Sequence, residues 1–341
     1  MEKKPSGRIV VVGGYGVAGS ALVAELVDTT EAEIVIAGRD RSVAETAASR
    51  FPDRAVAAVC DADDEGSVGQ VLEGADAVVH AAGPFDDRFP TVANVAADLG
   101  VHYIDISDSR DFFLTVRKAM DDREGLTAAV LCGLGATPGM TSMMARVAAE
   151  GYDSVEEIHI AVYRGGATPK GPAFVRSLVR TLPLDFPVLV NGGHHLSRAM
   201  TEWELIQFPE GFGKQWVYLT NAPDYEVMYR QFGLSTLKVK VGFEPHGFDR
   251  ILRAFAIAAP LWQGRREEAV TNFAHRYASN AGGSVDGDAI MLRLYGRRAG
   301  LTDSTTLSIS NRSGGRLLSI MPAAIAARAA LAGELRRRGW G

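Results

Sequence analysis

A short apolar run that breaks into glycines limits the fold of this chain more than any other feature. Residues 8–20 read RIVVVGGYGVAGS, a predicted β-strand followed at once by a turn and by apolar residues at helical spacing. Gly14, Gly16 and Gly19 fit the G-x-G-x-x-G pattern between a strand and a helix, which is typical of dinucleotide-binding folds. We expect Gly14 to permit the tight turn, Gly16 to let amides approach a pyrophosphate, and Gly19 to bring the helix close to the sheet. A glycine-rich turn without a ligand is the alternative.

The rest of the first 130 residues continues the alternation of strands and helices. Strand-like runs such as EIVIA, AVAAV and DAVVH are nearly continuous in Val, Ile and Ala, as in a parallel sheet whose two faces are covered by helices. The pattern predicts an α/β fold with a Rossmann-type doubly wound parallel sheet. From about residue 152 aromatics, prolines and glycines become frequent and strands such as EEIHIAVY alternate, which predicts a second, α+β domain with a partly antiparallel sheet.

These patterns predict two domains for a chain of 341 residues. We expect residues 1–130 to form the dinucleotide-binding Rossmann domain, completed by the C-terminal helix 315–341. Residues 131–314 then form an α+β domain for substrate binding and dimerisation.

The end of the second predicted strand indicates which dinucleotide is bound. A site selective for NAD places a carboxylate there to accept hydrogen bonds from the ribose hydroxyls. This strand ends in Gly38, followed by Arg39, whose guanidinium can pair with a 2′-phosphate. NADP(H) is therefore the expected cofactor, with Asp40 as a helix N-cap unless it turns back to the ribose. Asp61, after the third strand, either borders the adenine or caps the next helix.

Charge and composition exclude several other classes of function. A net charge of −5 and a sequence pI near 5.9 provide no general attraction to nucleic acid or to an anionic membrane. Two cysteines without ligand spacing and the absence of a signal-like or membrane-spanning run predict a cytoplasmic protein without a metal site. None of the nine tyrosines has a lysine four positions later, which argues against a short-chain dehydrogenase.

Five segments together resemble the saccharopine dehydrogenase-like proteins, which include saccharopine reductases, carboxynorspermidine dehydrogenases and lysine dehydrogenases. The segments are VVVGGYGVAGS, VIAGRD, AVVHAAGPF, VHYIDISD and VLCGLGATPGMTSMMA, and they follow one another over residues 8–146. The likeness returns in the closing LSIMPAAIAARAALAGELRRRGW. It implies hydride transfer between NADP(H) and a C=N or C–N bond of a small imine or amine. We expect a small-molecule substrate and a homodimer that pairs through the sheet of the second domain.

The resemblance also implies a set of site residues. Strands ending in AAGPF and YIDISD place these segments at the carboxyl edge of the sheet, where such folds bind ligands. Asp105 or Asp108 could instead cap the helix that begins near Arg110. The candidates for proton handling or for lining the pocket are Asp108, Asp105, Tyr103 and Cys132, and those for substrate carboxylates are Arg164 and Lys170. The expected cofactor contacts are Gly14, Tyr15, Gly16, Val17, Ala18, Gly19, Gly38, Arg39, Asp61, Ala82, Gly83, Pro84 and Phe85.

One departure from the family pattern affects the expected substrate. Thr137 stands before the Pro-Gly of ATPGM, where the family often has an aspartate. If that aspartate contacts an amino-acid ammonium group, this protein has lost the amino-acid substrate, and an imine reductase or amine dehydrogenase outside lysine metabolism fits better. Reduction of an activated C=C bond and a non-catalytic NADP sensor or scaffold are the alternatives.

Overall fold

The computed structural model describes residues 4–86, 88–166, 171–209, 211–244, 247–262, 264, 266–280, 287–312, 317–335 and 339–340. The chain divides into two compact units. The first domain comprises Met1–Gly139 and Ser319–Gly341, and the second comprises Met140–Leu318.

The first domain is built on a parallel sheet. Its strands are β1 (Arg8–Val12), β2 (Glu33–Gly38), β3 (Ala55–Val59), β4 (Ala77–His80), β5 (His102–Asp105), β6 (Ala129–Leu131) and β15 (Gly339–Trp340). They lie in the order β15-β6-β5-β4-β1-β2-β3. Because β1 pairs with β2 on one side and with β4 on the other, the direction of strand order reverses at β1. Open α/β sheets bind ligands at this switch point, beyond the carboxyl ends of the strands.

Apolar side chains bury both faces of this sheet. Ile9 and Val11 of β1 belong to one buried cluster, and the intervening Val10 and Val12, which point the opposite way, are equally buried. The helices of this domain are α1 (Val17–Thr29), α2 (Arg41–Ala48), α3 (Glu65–Leu72), α4 (Thr91–Leu99) and α5 (Arg110–Asp121). Helix α12 (Leu317–Leu331) returns from the far end of the chain, and its apolar residues, including Ile320, pack into the cluster that holds Ile9.

The second domain is built on a mixed sheet. Its strands are β7 (Ser154–Arg164), β8 (Asp185–Val190), β9 (Gly193–Arg198), β10 (Trp203–Gln207), β11 (Lys214–Leu219), β12 (Thr236–Phe243), β13 (Asp288–Arg298) and β14 (Leu301–Asn311). The main path is β10-β11-β12-β7-β13-β14, in which β12 and β7 are parallel and the other pairs are antiparallel. The helices are α6 (Thr141–Ala148), α7 (Pro172–Thr181), α8 (Asp224–Phe232), α9 (Phe248–Ile257), α10 (Ala259–Trp262) and α11 (Glu267–Asn280).

The predicted fold class is confirmed, including the partly antiparallel second sheet and the returning C-terminal helix. Strand β15 is an addition that the sequence patterns did not predict. It contains only Gly339 and Trp340, and it pairs in parallel with β6. Among the described residues, no helix has both the length and the apolar character that a membrane span requires.

Candidate functional site

The glycine turn between β1 and α1 is compact and leaves the start of the helix open. Gly13 has a φ of 82°, and a side chain on it would come within 2.7 Å of the Ala82 backbone. A Cβ on Gly19 would lie 2.1 Å from the Gly13 carbonyl oxygen, so only glycine allows α1 this close to the turn. Gly16 caps α1 without a side-chain hydrogen bond, and the first turn of the helix carries no acidic residue. The first amides of α1 and its positive dipole end are therefore available to an anion.

The end of β2 forms the neighbouring wall of this site. The Tyr15 ring crosses Gly38, where a Cβ would lie 2.5 Å from the ring, and the Tyr15 hydroxyl accepts a hydrogen bond from the Asp40 amide at 3.1 Å. A side chain at position 38 would therefore collide with the Tyr15 ring. Glycine at this position also leaves the end of β2 without the carboxylate that an NAD-selective site has there. The Arg39 side chain is exposed, and within the described residues it has no ion pair or hydrogen bond.

Two neighbouring carboxylates have local roles at helix starts. Asp40 caps α2, accepting from the Val43 amide at 3.1 Å and from the Ser42 hydroxyl at 2.8 Å, and these hydrogen bonds lower the pKa of its carboxyl. The expectation that Asp40 is an N-cap is therefore confirmed. The suggestion that Asp61 caps the following helix is wrong, because Asp64 caps α3 by accepting from the Ser67 amide at 2.6 Å.

Asp61 instead lies in the exposed turn before α3. Its carboxylate accepts a hydrogen bond from the Asp63 amide at 3.2 Å, and its own amide donates to the Ser67 hydroxyl at 3.0 Å. An adenine contact of Asp61 stays a prediction.

The AAGPF segment follows β4 and is held by an arginine further along the chain. Arg88 donates from Nε to the Pro84 carbonyl oxygen at 2.7 Å, and its Nη1 lies 2.8 Å from a carboxylate oxygen of Asp63. Phe85 is buried, with its ring centroid 4.9 Å from that of His80 and 5.1 Å from that of Phe112. These contacts fix the segment at the carboxyl edge of the sheet.

A buried polar cluster joins the ends of β4, β5 and β6. Asp105 is 0% exposed, and its Oδ1 accepts from the Ser107 amide at 2.9 Å and from the Gly133 amide at 2.8 Å. The Tyr103 hydroxyl lies 3.3 Å from Nδ1 of His80. Burial raises the pKa of Asp105, and hydrogen bonding by Cys132 and by the Gly133 amide opposes that rise.

The other members of this cluster are neutral. Burial lowers the pKa of His80 to about 3, and the charge of Arg88 acts in the same direction. Burial and the nearby Asp105 carboxyl raise the pKa values of Tyr103 and Cys132. The imidazole, phenol and thiol therefore carry no charge at neutral pH, and Cys132 is not a thiolate nucleophile.

Neither aspartate of YIDISD caps the next helix. Ser109 caps α5, because its hydroxyl accepts from the Phe112 amide at 3.3 Å. The capping alternative for Asp105 and Asp108 is therefore wrong. Asp105 is wholly buried, whereas Asp108 is half-buried.

The comparisons with known proteins identify the first domain. Residues 9–129 match the family model described as the saccharopine dehydrogenase NADP binding domain. The first domain belongs to this NADP-binding family. The resemblance noted in the sequence and the expected cofactor, NADP(H), are both confirmed for this saccharopine dehydrogenase NADP-binding domain.

The whole chain shares its fold with a solved saccharopine dehydrogenase. The apo saccharopine dehydrogenase (L-Glu forming) from Saccharomyces cerevisiae aligns with a TM-score of 0.64 at 13% identity, over 98% of this chain and 93% of that chain. A myo-inositol dehydrogenase from Corynebacterium glutamicum aligns with a TM-score of 0.46 at 13% identity, over 98% of this chain and 90% of that chain. A search of curated proteins found no match to this sequence. At 13% identity the likeness to the saccharopine dehydrogenase shows the shared fold only.

The saccharopine dehydrogenase NADP-binding domain of this chain suits the charge of its cofactor. The start of α1 has no side-chain cap and no acidic residue, so its amides can receive a pyrophosphate. Arg39 is exposed beside Gly38, while the Asp40 carboxylate is occupied by Ser42 and Val43. The Asp40 carboxylate is therefore engaged within α2, and contact between Arg39 and the extra phosphate of NADP(H) stays a prediction.

The structure brings together the predicted residues at the ends of β4, β5 and β6. Arg164 ends β7 in the second domain, with its guanidinium carbon 5.2 Å from the centroid of the Phe174 ring. Lys170 lies outside the described residues. In the described part of the chain, no group of three or more His, Cys, Asp or Glu residues could hold a metal ion.

Sequence reasoning missed three residues that shape this site, namely Gly13, His80 and Arg88. Gly13, not Gly14, has the left-handed backbone conformation of the turn. A signal for His80 was present, since it is a polar residue at the end of the apolar run AVVH. Arg88 had no such signal, because its partners Pro84 and Asp63 are recognisable only in the folded domain.

Proposed function

We propose that this protein is an NADP(H)-dependent oxidoreductase that transfers a hydride between the nicotinamide and a C=N or C–N bond of a small imine or amine. The observation that supports the proposal is the match of residues 9–129 to the saccharopine dehydrogenase NADP binding domain. The open start of α1 and the exposed Arg39 are consistent with it. When bound, the cofactor supplies the hydride, and the chain supplies binding, orientation and control of protons.

The chain's own groups divide into those that bind and those that orient. The amides at the start of α1 and the Arg39 guanidinium bind phosphate. The Asp105 carboxylate accepts hydrogen bonds from the amides of Ser107 and Gly133. It therefore holds the ends of β5 and β6 together and acts as a positioning residue. Among the predicted proton carriers, Tyr103, Asp105 and Cys132 are buried, while Asp108 is half-buried. We therefore assign proton exchange with an imine or amine to Asp108.

The cofactor assignment is tested by Arg39→Ala. Loss of a charge-assisted contact should weaken NADPH binding by about 2 kcal/mol, roughly 30-fold, and leave NADH binding nearly unchanged. Arg41→Ala is the matched control, since Arg41 is exposed two positions later and pairs with Glu45 at 3.8 Å. Equal losses for NADPH and NADH in Arg39→Ala would contradict the assignment.

The reaction class is tested by NADPH oxidation with pairs of amines and carbonyl compounds, followed at the nicotinamide absorbance. We expect oxidation with at least one pair that forms an imine, and the secondary amine as product. A protein that binds NADPH tightly but oxidises none of it with imines or amine–carbonyl pairs would exclude this enzymatic function.

A further inference from the structure

The ring of Tyr15 occupies the space that a side chain at position 38 would need. A Cβ on Gly38 would lie 2.5 Å from Cε1, 2.6 Å from Cζ and 2.6 Å from the hydroxyl oxygen of Tyr15, and these are the three atoms nearest to it. The φ angle of Gly38 is outside the left-handed region, so the backbone there accepts any residue. Gly13 and Gly19 differ, because a Cβ on either would first meet backbone atoms. The nearest obstacle at position 38 is therefore one side chain.

The Tyr15 ring is held in place. Its hydroxyl accepts a hydrogen bond from the Asp40 amide at 3.1 Å, and Asp40 in turn caps α2. The ring is partly buried and packs against the apolar cluster that contains Ile36. Tyr15 also carries the one side chain of the turn formed by residues 13–16, whose other members are glycines. The ring cannot move aside for a side chain at position 38 without losing this hydrogen bond and this packing.

Position 38 is also where the choice of dinucleotide is made. It ends β2, where an NAD-selective site has its carboxylate, and the next residue is Arg39, which is expected beside the extra phosphate of NADP(H). The backbone on both sides of Arg39 is hydrogen-bonded, since the Gly38 carbonyl oxygen accepts from the Cys60 amide at 3.0 Å and the Asp40 amide donates to Tyr15. Tyr15 therefore contacts both neighbours of Arg39.

We propose that Tyr15 is a specificity-determining residue of the NADP(H) site. Its ring keeps the end of β2 free of a carboxylate, and its hydroxyl fixes the Asp40 amide and thereby the backbone from which Arg39 extends. This role rests on the cofactor part of the proposed function and does not depend on the reaction. Because the ring and a side chain at position 38 compete for one space, the effects of substitutions at positions 15 and 38 are coupled.

A double-mutant cycle on the melting temperature of the full chain tests the contact. Gly38→Ala should lower the melting temperature by about 3 °C or more, because its Cβ displaces the ring. In the Tyr15→Ala background the same change should lower it little or not at all. Tyr15→Leu, which has no atoms at the places of Cε1, Cζ and the hydroxyl, repeats the cycle should Tyr15→Ala unfold.

Gly69→Ala is the matched control for this cycle. A Cβ on Gly69 would lie 3.9 Å from its nearest neighbouring atom, in Val95, so its effect should be the same with and without the Tyr15 ring. Additive effects of Gly38→Ala and Tyr15→Ala would overturn the proposal, because they would mean that the ring does not restrict position 38.

Fluorescence titration with NADPH and NADH tests the effect on specificity without turnover. Gly38→Asp alone should weaken the binding of both cofactors, because the ring and the new carboxylate compete for one space. Gly38→Asp combined with Tyr15→Ala should shift the ratio of the two dissociation constants toward NADH at least about tenfold further than Gly38→Asp alone. Gly38→Asp combined with Tyr15→Phe, which keeps the ring, should behave as Gly38→Asp alone. An equal shift with and without the ring would overturn the proposal.

The assigned roles of Tyr15 and Arg39 can be refuted separately. Equal losses of NADPH and NADH binding in Arg39→Ala would exclude the phosphate contact and leave the coupling between positions 15 and 38 intact. Absence of that coupling would exclude the role of Tyr15 and leave both the Arg39 contact and the reaction intact.

Discussion

The carboxyl of Asp224 should set part of the pH dependence of stability in the second domain. The residue is 0% exposed, and its Oδ1 accepts from the Thr141 hydroxyl at 2.5 Å. Its Oδ2 is buried and, within the described residues, has no hydrogen-bond partner. Burial raises the pKa of this carboxyl from 3.8 to about 6, although the bond from Thr141 favours the charged form.

The sign of the effect follows from proton binding. Between pH 3.8 and about pH 6 the folded chain holds a proton at Asp224 that the unfolded chain has released. Stability from this group is therefore fully present below pH 3.8 and is lost as the pH rises through about 6. A difference of about 2 pKa units corresponds to about 3 kcal/mol in the free energy of unfolding.

Asp224→Asn isolates this contribution because an amide does not titrate. We expect the unfolding free energy of Asp224→Asn, relative to the unaltered protein, to rise by about 3 kcal/mol between about pH 4 and pH 7. Urea unfolding followed by tryptophan fluorescence and circular dichroism measures this difference at each pH, and the titration of all other groups cancels. Asp303→Asn is the matched control, since its side chain is 43% exposed and pairs with Arg298 at 3.4 Å.

A constant difference between Asp224→Asn and the unaltered protein across this pH range would refute the reasoning. A difference that falls as the pH rises would do so as well, because it would mean that the folded state favours the charged carboxylate. The same slope in Asp303→Asn would show that the effect does not depend on burial.

Two further predictions concern the first domain. Gly19→Ala should weaken NADPH binding more than about tenfold, because its Cβ would lie 2.1 Å from the Gly13 carbonyl oxygen, and displace α1. Gly69→Ala is the control, because a Cβ on Gly69 in α3 would lie 3.9 Å from its nearest neighbouring atom, and this variant should stabilise the domain slightly. Fluorescence titration with NADPH measures the affinity of both variants, and thermal unfolding measures their stability. Ser109→Ala should cost about 1 kcal/mol of stability through loss of the α5 cap. Asp108→Ala should lower the rate of NADPH oxidation without altering NADPH affinity, and an unchanged rate would contradict the role of Asp108 in proton exchange.

The parts of the fold that depend on local pattern could be predicted from the sequence. Runs of Val and Ile, as in RIVVV and EIVIA, form the strands where they were expected, because a strand buried on both faces leaves no polar positions. The short strand Gly339–Trp340 could not be predicted. Two residues carry no periodicity, and only the exposed edge of β6 in the folded sheet gives them a partner.

The candidate site also contains features that depend on local sequence and features that depend on the folded domain. The glycine turn and Arg39 could be identified from spacing along the chain, since backbone conformation and charge at a strand end are local properties. Which carboxyl caps a helix was harder to assign. Asp64 caps α3 although Asp61, three residues earlier, was the candidate, and Ser109 caps α5 although Asp105 and Asp108 were the candidates. Capping depends on the backbone angles at a single position, which the sequence does not give.

The sequence by itself determined the class of the first domain and its cofactor, because these depend on glycine, charge and periodicity over short distances. Only the tertiary structure decided which polar groups meet. His80, Tyr103, Asp105 and Cys132 come from three strand ends, and their protonation states follow from mutual burial. In the second domain, Tyr163 and Asp249 both line one cavity although they are far apart in the chain. Burial and proximity are properties of the packed chain, and no pattern along the sequence encodes them directly.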